Sequence, residues 1–310
     1  MQGVILAAGR GARMGPLSDY FPKALLPVGN APLILLHLET LRQLRVTEVF
    51  IVIGHLGDQI RAVVDAGRPP GMTVHYVEQQ ERQGLAHAVG MLEHRINGPF
   101  VLLLGDIYFE FIRLLSILNR LDGRVDARGE GAILATKKES DPARVRQNFS
   151  VELDRAGRVC RVVEKPTEGT VLLKGCGLYL FMPVIFDAIH RTPRSALRNE
   201  YELTDAIQVL IDNGAPVYDA GVVDWDVNIT TPEDLVACNR HALRKERLEY
   251  LVGRGCNVAP GTTLDETVLG DDVRIVRPCR LEACVVLPGT VIDTTETLRG
   301  QVLYPGGVST

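Results

Sequence analysis

No apolar run in this 310-residue chain approaches the roughly 18 uncharged residues of a membrane helix, which excludes a bilayer-spanning segment of that kind. Basic residues are not in excess. Thirty-four Lys and Arg against 38 Asp and Glu leave a net charge of −4, so there is no overall electrostatic footprint for nucleic acid. Any anion must therefore be met by local cations. The six cysteines (Cys160, Cys176, Cys238, Cys256, Cys279, Cys284) form no CxxC pair, which argues against zinc or a disulfide framework and for a reducing, cytoplasmic setting. The opening "MQGVILAAG" has no basic n-region and no cleavage site, so no signal peptide is expected. No Ser/His or Cys/His nucleophile set stands out. The chain also lacks a GKS or GKT phosphate loop, and no acid follows a second strand as a dinucleotide fingerprint requires.

What is present is alternation. "VILAA" (4–8), "VFIVIG" (49–54), "TVHYV" (73–77), "FVLLLGD" (100–106) and "GAILAT" (131–136) read as buried strands. Amphipathic stretches near 31–45, 58–66, 84–95 and 111–120 lie between them. This order predicts βαβ units and an α/β fold with a mixed, mostly parallel, Rossmann-like sheet. Residues 148–182 are richer in strand signals, with a hairpin expected around Ala156-Gly157, and helical patterns return at 183–190, 203–213 and 232–250. Beyond residue 251 aliphatics recur every six positions at Val252, Val258 and Leu264. After one five-residue step they recur at Leu269, Ile275, Leu281 and Leu287. That spacing predicts a short left-handed β-helix of hexapeptides, hence a division into 1–245 and 251–310.

Gly9, Gly11 and Gly15 follow the first strand, where the backbone can approach a ligand and donate its N–H groups. Arg13 and Lys23 add charge suited to a polyphosphate, and Pro22 restricts the loop beside Lys23. Asp106 ends a wholly apolar strand, where a carboxylate is costly unless solvated or bound to a cation such as Mg²⁺.

The string "LAAGRGARM…PLS…FPKALLPVGNAPLI" resembles the signature of the sugar-1-phosphate nucleotidyltransferases, and further pieces follow in the same order: "YVEQQERQGLAHAV", "LLLGDIYFE", "VVEKP", "GCGLYLF", "NEYELTDAI" and "WDVNITTPEDL". The resemblance implies that Leu6, Ala8, Gly9 and Gly11 contact the nucleotide, that Arg13 and Lys23 hold the departing pyrophosphate, and that Gln79 and Gly84 meet a pyrimidine base. It implies sugar contacts from Asn148, Glu164 and Gly177, with Lys165 on the sugar phosphate and Glu202 ordering the pocket. Asp106 and Asn228 would bind Mg²⁺, with Asp226 as the alternative to Asn228 if the loop is shifted. Asn228 is similar to the acetylamino-sugar uridylyltransferase branch, whereas the base segment is similar to glucose-1-phosphate thymidylyl- and uridylyltransferases, so the two clues disagree about the sugar.

The implied partners are an NTP (dTTP or UTP) and a sugar-1-phosphate, with no nucleic acid and no membrane, in a homo-oligomer. A sugar phosphate is largely dianionic at neutral pH, so its oxygen can attack without a general base. Two alternatives are a catalytically silent NDP-sugar-binding subunit and a cytidylyltransferase acting on a phospho-alcohol. The first should have lost Lys23, Asp106 or Lys165, and all three are present.

Overall fold

The computed structural model describes residues 1–119, 131–146, 148–166, 172–196 and 198–309. Strands follow in chain order as β1 (Gln2–Ala7), β2 (Pro27–Val28), β3 (Ala31–Pro32), β4 (Glu48–Ile53), β5 (Thr73–Glu78), β6 (Phe100–Leu104) and β7 (Ile107–Phe111). They continue as β8 (Ala132–Lys138), β9 (Phe149–Leu153), β10 (Val159–Glu164), β11 (Leu173–Phe181), β12 (Val217–Ala220) and β13 (Val223–Asn228). Nine of them form one sheet, ordered β10-β9-β11-β6-β1-β4-β5, with β8 and β12 continuing from β11. Parallel pairing along β6-β1-β4-β5 and β8-β12, with antiparallel pairing to β11 and β10, leaves seven strands pointing one way and β10 and β11 the other.

β1, β4 and β6 are nearly continuous apolar runs because both faces of this sheet are covered. Val4, Leu6, Phe50, Phe100, Leu102 and Phe181 pack with Ala88, Ile189 and Ile207 of helices Leu85–Gly90, Ile185–Arg191 and Leu203–Asp212. Ile5, Ile51, Val101 and Leu103 pack on the other face with Leu38 and Ile60 of helices Leu33–Gln43 and Gly57–Gly67. The 149–164 hairpin turns at Gly157, as expected.

Two helical expectations need correction. Residues 84–95 are helical only over Leu85–Gly90. The 111–120 stretch gives only a turn of helix at Ser116–Asn119, because Ile107–Phe111 is drawn into an antiparallel ribbon with β13, and residue 120 lies outside the described residues. That ribbon sets Asn228 opposite Ile107, and Ile229 N–H donates to the Asp106 carbonyl at 2.8 Å.

The last sixty residues form three ladders of short parallel strands, one closed by the antiparallel strand Gly307–Ser309, the three-sided stacking consistent with the expected left-handed β-helix. Leu251, Val268, Val285 and Val302 lie in one column, and Leu264, Leu281 and Leu298 in another, so each coil takes 17 residues. Two six-residue sides and one of five make that period, and the five-residue step returns in every coil. Leu269 therefore stacks on Val286 and Leu303, not on Leu287. Leu287 is buried elsewhere, in a third core that joins the tail to the main sheet domain: it packs with Met14, Leu17, Leu26 and Val28, with Leu235 and Val236 of helix Pro232–Glu246, and with Tyr304. Polar contacts seal the same junction. Asn30 Nδ2 donates to the Leu269 carbonyl at 2.8 Å, and Arg240 and Arg244 both bind Glu266.

Candidate active site

A cavity of about 750 Å³ opens at the carboxyl ends of β1, β5 and β6 and is closed on its far side by β9–β11 and the β7–β13 ribbon. Leu6, Ala8, Gly9, Arg13, Lys23, Gln79, Gly84, Asp106, Asn148, Glu164, Lys165, Gly177 and Asn228 all line it. Gly11 does not. Its φ of 75° starts the turn Ala12–Met14, and a Cβ there would lie 3.0 Å from Lys23 Cγ, so its structural place is behind the lysine stem. Seven cations and six carboxylates line the walls (Arg13, Lys23, Arg82, Arg144, Lys165, Lys174 and Arg198 against Asp106, Glu164, Glu200, Glu202, Asp226 and Asp234). The balance makes pairing decisive.

Lys23 is buried and its Nζ lies 3.1 Å from Asp106 Oδ2. Among the described residues Arg13, Arg82 and Lys165 have no ion-pair partner, which leaves three cations available to incoming anions. Lys165 follows β10 with a φ of 45°, and its N–H donates to the Asn148 carbonyl at 2.7 Å. Left-handed backbone in a lysine costs energy and persists because that bond and the strand end hold it.

Glu164 accepts from Arg198 at 3.1 Å and from Thr204 Oγ1 at 2.8 Å, while Arg198 also bonds Glu202. Burial pushes the Glu202 carboxyl up, and the Arg198 charge opposes the shift. This network presents Glu164 as an oriented acceptor. At the carboxyl end of β5, Gln79 Nε2 lies 3.1 Å from His87 Nδ1 and 3.5 Å from the Gly84 carbonyl, which orients the buried amide. Gly84 has a φ of 109°, and a Cβ there would come within 2.4 Å of the Tyr201 carbonyl oxygen. Only glycine allows the paired backbones of Gln83 and Tyr201 to meet.

Asp226 and Asn228 differ sharply. The Asp226 carboxylate is buried and held by Lys174 Nζ at 2.6 and 2.8 Å, with Lys137 at 3.7 Å. Lys137 and Arg144 continue this chain to the buried Glu139. Burial would raise the Glu139 pKa, but the Asp141 N–H and these cations outweigh it and hold the carboxyl low. Asn228 Oδ1, by contrast, is a buried oxygen without a hydrogen-bond partner. A free amide oxygen beside a carboxylate-bearing strand end is a donor set suited to Mg²⁺, which takes one or two protein oxygens and fills its shell with water and phosphate. Among the described residues no three His, Cys, Asp or Glu cluster as a self-sufficient metal cage. Lys174, Arg198, His87 and Thr204 were not singled out from the sequence. Lys174, a lysine inside "LLKGCGLYLF", was the one visible anomaly.

The nucleotidyl transferase family model matches residues 2–245. A UTP–glucose-1-phosphate uridylyltransferase, AglF of Haloferax volcanii, is 33% identical over 234 residues, covering 76% of this chain and 93% of its own length. A glucose-1-phosphate thymidylyltransferase of Streptomyces griseus is 31% identical over 323 residues, covering 97% of this chain and 88% of its own. A Bacillus anthracis crystal structure with sucrose, provisionally described as a glucose-1-phosphate thymidylyltransferase, superposes with a TM-score of 0.67 at 26% identity, covering 78% of this chain and 95% of that one. A UDP-glucose pyrophosphorylase complexed with UDP-glucose shares the fold at a TM-score of 0.66 and 22% identity, with 79% and 98% covered.

Proposed function

The chain belongs to the nucleotidyl transferase family, and from that premise we propose that it transfers a nucleotidyl group from dTTP or UTP to a sugar-1-phosphate, giving an NDP-sugar and pyrophosphate. The observation that carries this reading is one cavity where the unpaired cations Arg13 and Lys165, with Arg82 also unpaired, meet Lys23, Asp106 and the partnerless Asn228 oxygen.

In this reading Lys165 aligns the sugar phosphate so that its oxygen attacks the α-phosphorus of the NTP. The bond to the β-phosphate bridging oxygen breaks, and its electron pair leaves on pyrophosphate. No proton need move, because the attacking phosphate is already largely dianionic. Arg13 and Lys23 receive the developing charge on pyrophosphate, and Glu164, held by Arg198 and Thr204, accepts from sugar hydroxyls. Asp106 and Asn228 would hold Mg²⁺, which supplies charge neutralisation at the nucleotide phosphates. Leu6, Ala8 and Gly9 border the nucleotide, Gly177 makes room for the sugar beside Asn148, and Gln79 reads the base.

Catalysis is assigned to residues 1–245 and support to 251–310, within a homo-oligomer. Cytoplasmic residence fits a set of six unpaired cysteines and nucleotide substrates. The deciding experiment measures pyrophosphate release over four NTPs and several sugar-1-phosphates. dTTP or UTP should be preferred at least tenfold in kcat/KM, about 1.4 kcal/mol. Gln79→Ala should erode that preference more than it slows the best pair. Release with none of the pairs would mark a silent nucleotide-sugar binder.

A further inference from the structure

Phe149 opens β9 and lines the cavity between Asn148 and the strand that carries Gly177. Directly across from it on β11 stands Gly175, its antiparallel partner. The ring does not merely lie near that glycine. A Cβ built on Gly175 would fall 1.8 Å from Phe149 Cζ, and 2.2 and 2.3 Å from the two Cε atoms, so the tip of the ring occupies the space of any side chain at 175. Behind it the ring stacks on Tyr179, centroids 6.1 Å apart and planes within 14°, and Tyr179 stacks in turn on Phe181. β11 breaks register between Gly175 and Tyr179, and Gly177 there has a φ of 71°. The wall is therefore an aromatic plug set into a kinked strand, with no polar side chain at 175 to bond a ligand.

We propose that Phe149, seated over Gly175, determines sugar specificity by closing this side of the sugar end to a bulky polar substituent, so that the substrate is an unsubstituted hexose-1-phosphate and not a 2-acetamido sugar phosphate. The inference rests on the function proposed above. An acetamido group needs room and a partner for its N–H and C=O, and its amide left unpaired against a phenyl ring loses both hydrogen bonds it had in water. A plain hexose places only a hydroxyl there, smaller and with fewer hydrogen-bonding groups to leave unpaired, and its C–H face suits an aromatic surface. This also resolves the conflict between the Asn228 and base-segment clues in favour of the latter.

The test is kcat/KM for glucose-1-phosphate and N-acetylglucosamine-1-phosphate in the wild type, Phe149→Leu and Phe149→Ala, with melting temperature measured on each. The wild type should favour the plain hexose at least tenfold. Its preference should fall about threefold in the leucine variant and tenfold or more in the alanine variant, mainly through a lower KM for the acetamido sugar. The graded pair keeps the test decisive if the alanine variant does not fold. A ring that only shields Gly175 would lower the melting temperature and slow both sugars alike, and a ratio unmoved within twofold overturns the proposal alone. So does a wild type that favours the acetamido sugar. Release of pyrophosphate from no sugar phosphate overturns the functional reading and this proposal with it.

Discussion

Asp226 and Asn228 sit two residues apart on one strand, yet removing them should do different kinds of damage. Asp226→Asn strands Lys174, which is almost wholly buried, without its countercharge. Breaking a buried pair on one side costs about 3–5 kcal/mol, so urea denaturation should reveal a much weaker protein. Asn228→Ala removes an oxygen that holds nothing within the protein. Its stability should shift by less than about 1 kcal/mol while turnover falls a hundredfold or more. If the Asp226 variant is stable but dead, the ligand assignment moves to Asp226. At this scale the convergence of Arg13, Lys23, Asp106 and Glu164-Lys165 on one cavity was legible, because charge interrupts or closely follows apolar strands there. Arg198 was not. Its partner Glu164 lies 34 residues away in sequence, and only the fold brings them within 3.1 Å.

Helix Leu33–Gln43 carries a group whose protonation bears on the whole molecule. His37 is fully buried, and desolvation lowers its pKa from 6.5 to about 3, partly offset by a hydrogen bond to the Gly105 backbone. The unfolded chain takes up this proton near pH 6.5 and the folded one only near 3, so between those values the unfolded state binds more protons. Stability must fall as pH drops through that window, by about 2 kcal/mol at pH 5 from this group. The loss between pH 7 and 5, followed by urea midpoints, should be smaller by that amount in His37→Leu. Equal losses in both proteins would show that His37 is not the group responsible. Most elements were readable from their period, but β7 was not. Ile107, Phe109 and Phe111 alternate as a strand, while Phe111, Leu114, Leu115 and Leu118 repeat as a helix, and the partner that settles the contest, β13, arrives over a hundred residues later.

Across the whole molecule, the 1–245 and 251–310 parts are less separable than a change in periodicity suggests. The hexads were visible, yet the recurring five-residue step and the outward burial of Leu287 depend on what the tail packs against. That partner includes Met14, Leu17 and Leu26 of the loop that supplies Arg13 and Lys23. Deleting 251–310 should therefore expose apolar surface, promote aggregation, and raise the KM for nucleotide in any soluble fraction, as judged by light scattering and pyrophosphate release. A monodisperse truncation with unchanged kinetics would show that the loop stands without the tail.

The shared core has a consequence for exchange of backbone hydrogens with solvent. The Leu287 amide donates to the Leu303 carbonyl at 2.8 Å, inside the coil and outside the cavity. If that amide is freed only when the core around Met14 and Leu17 opens, a nucleotide held by Arg13 and Lys23 in the proposed way must be released first. Saturating nucleotide should then slow deuterium uptake at Leu287 by the factor 1 + [L]/Kd, although no residue of the coil lines the cavity.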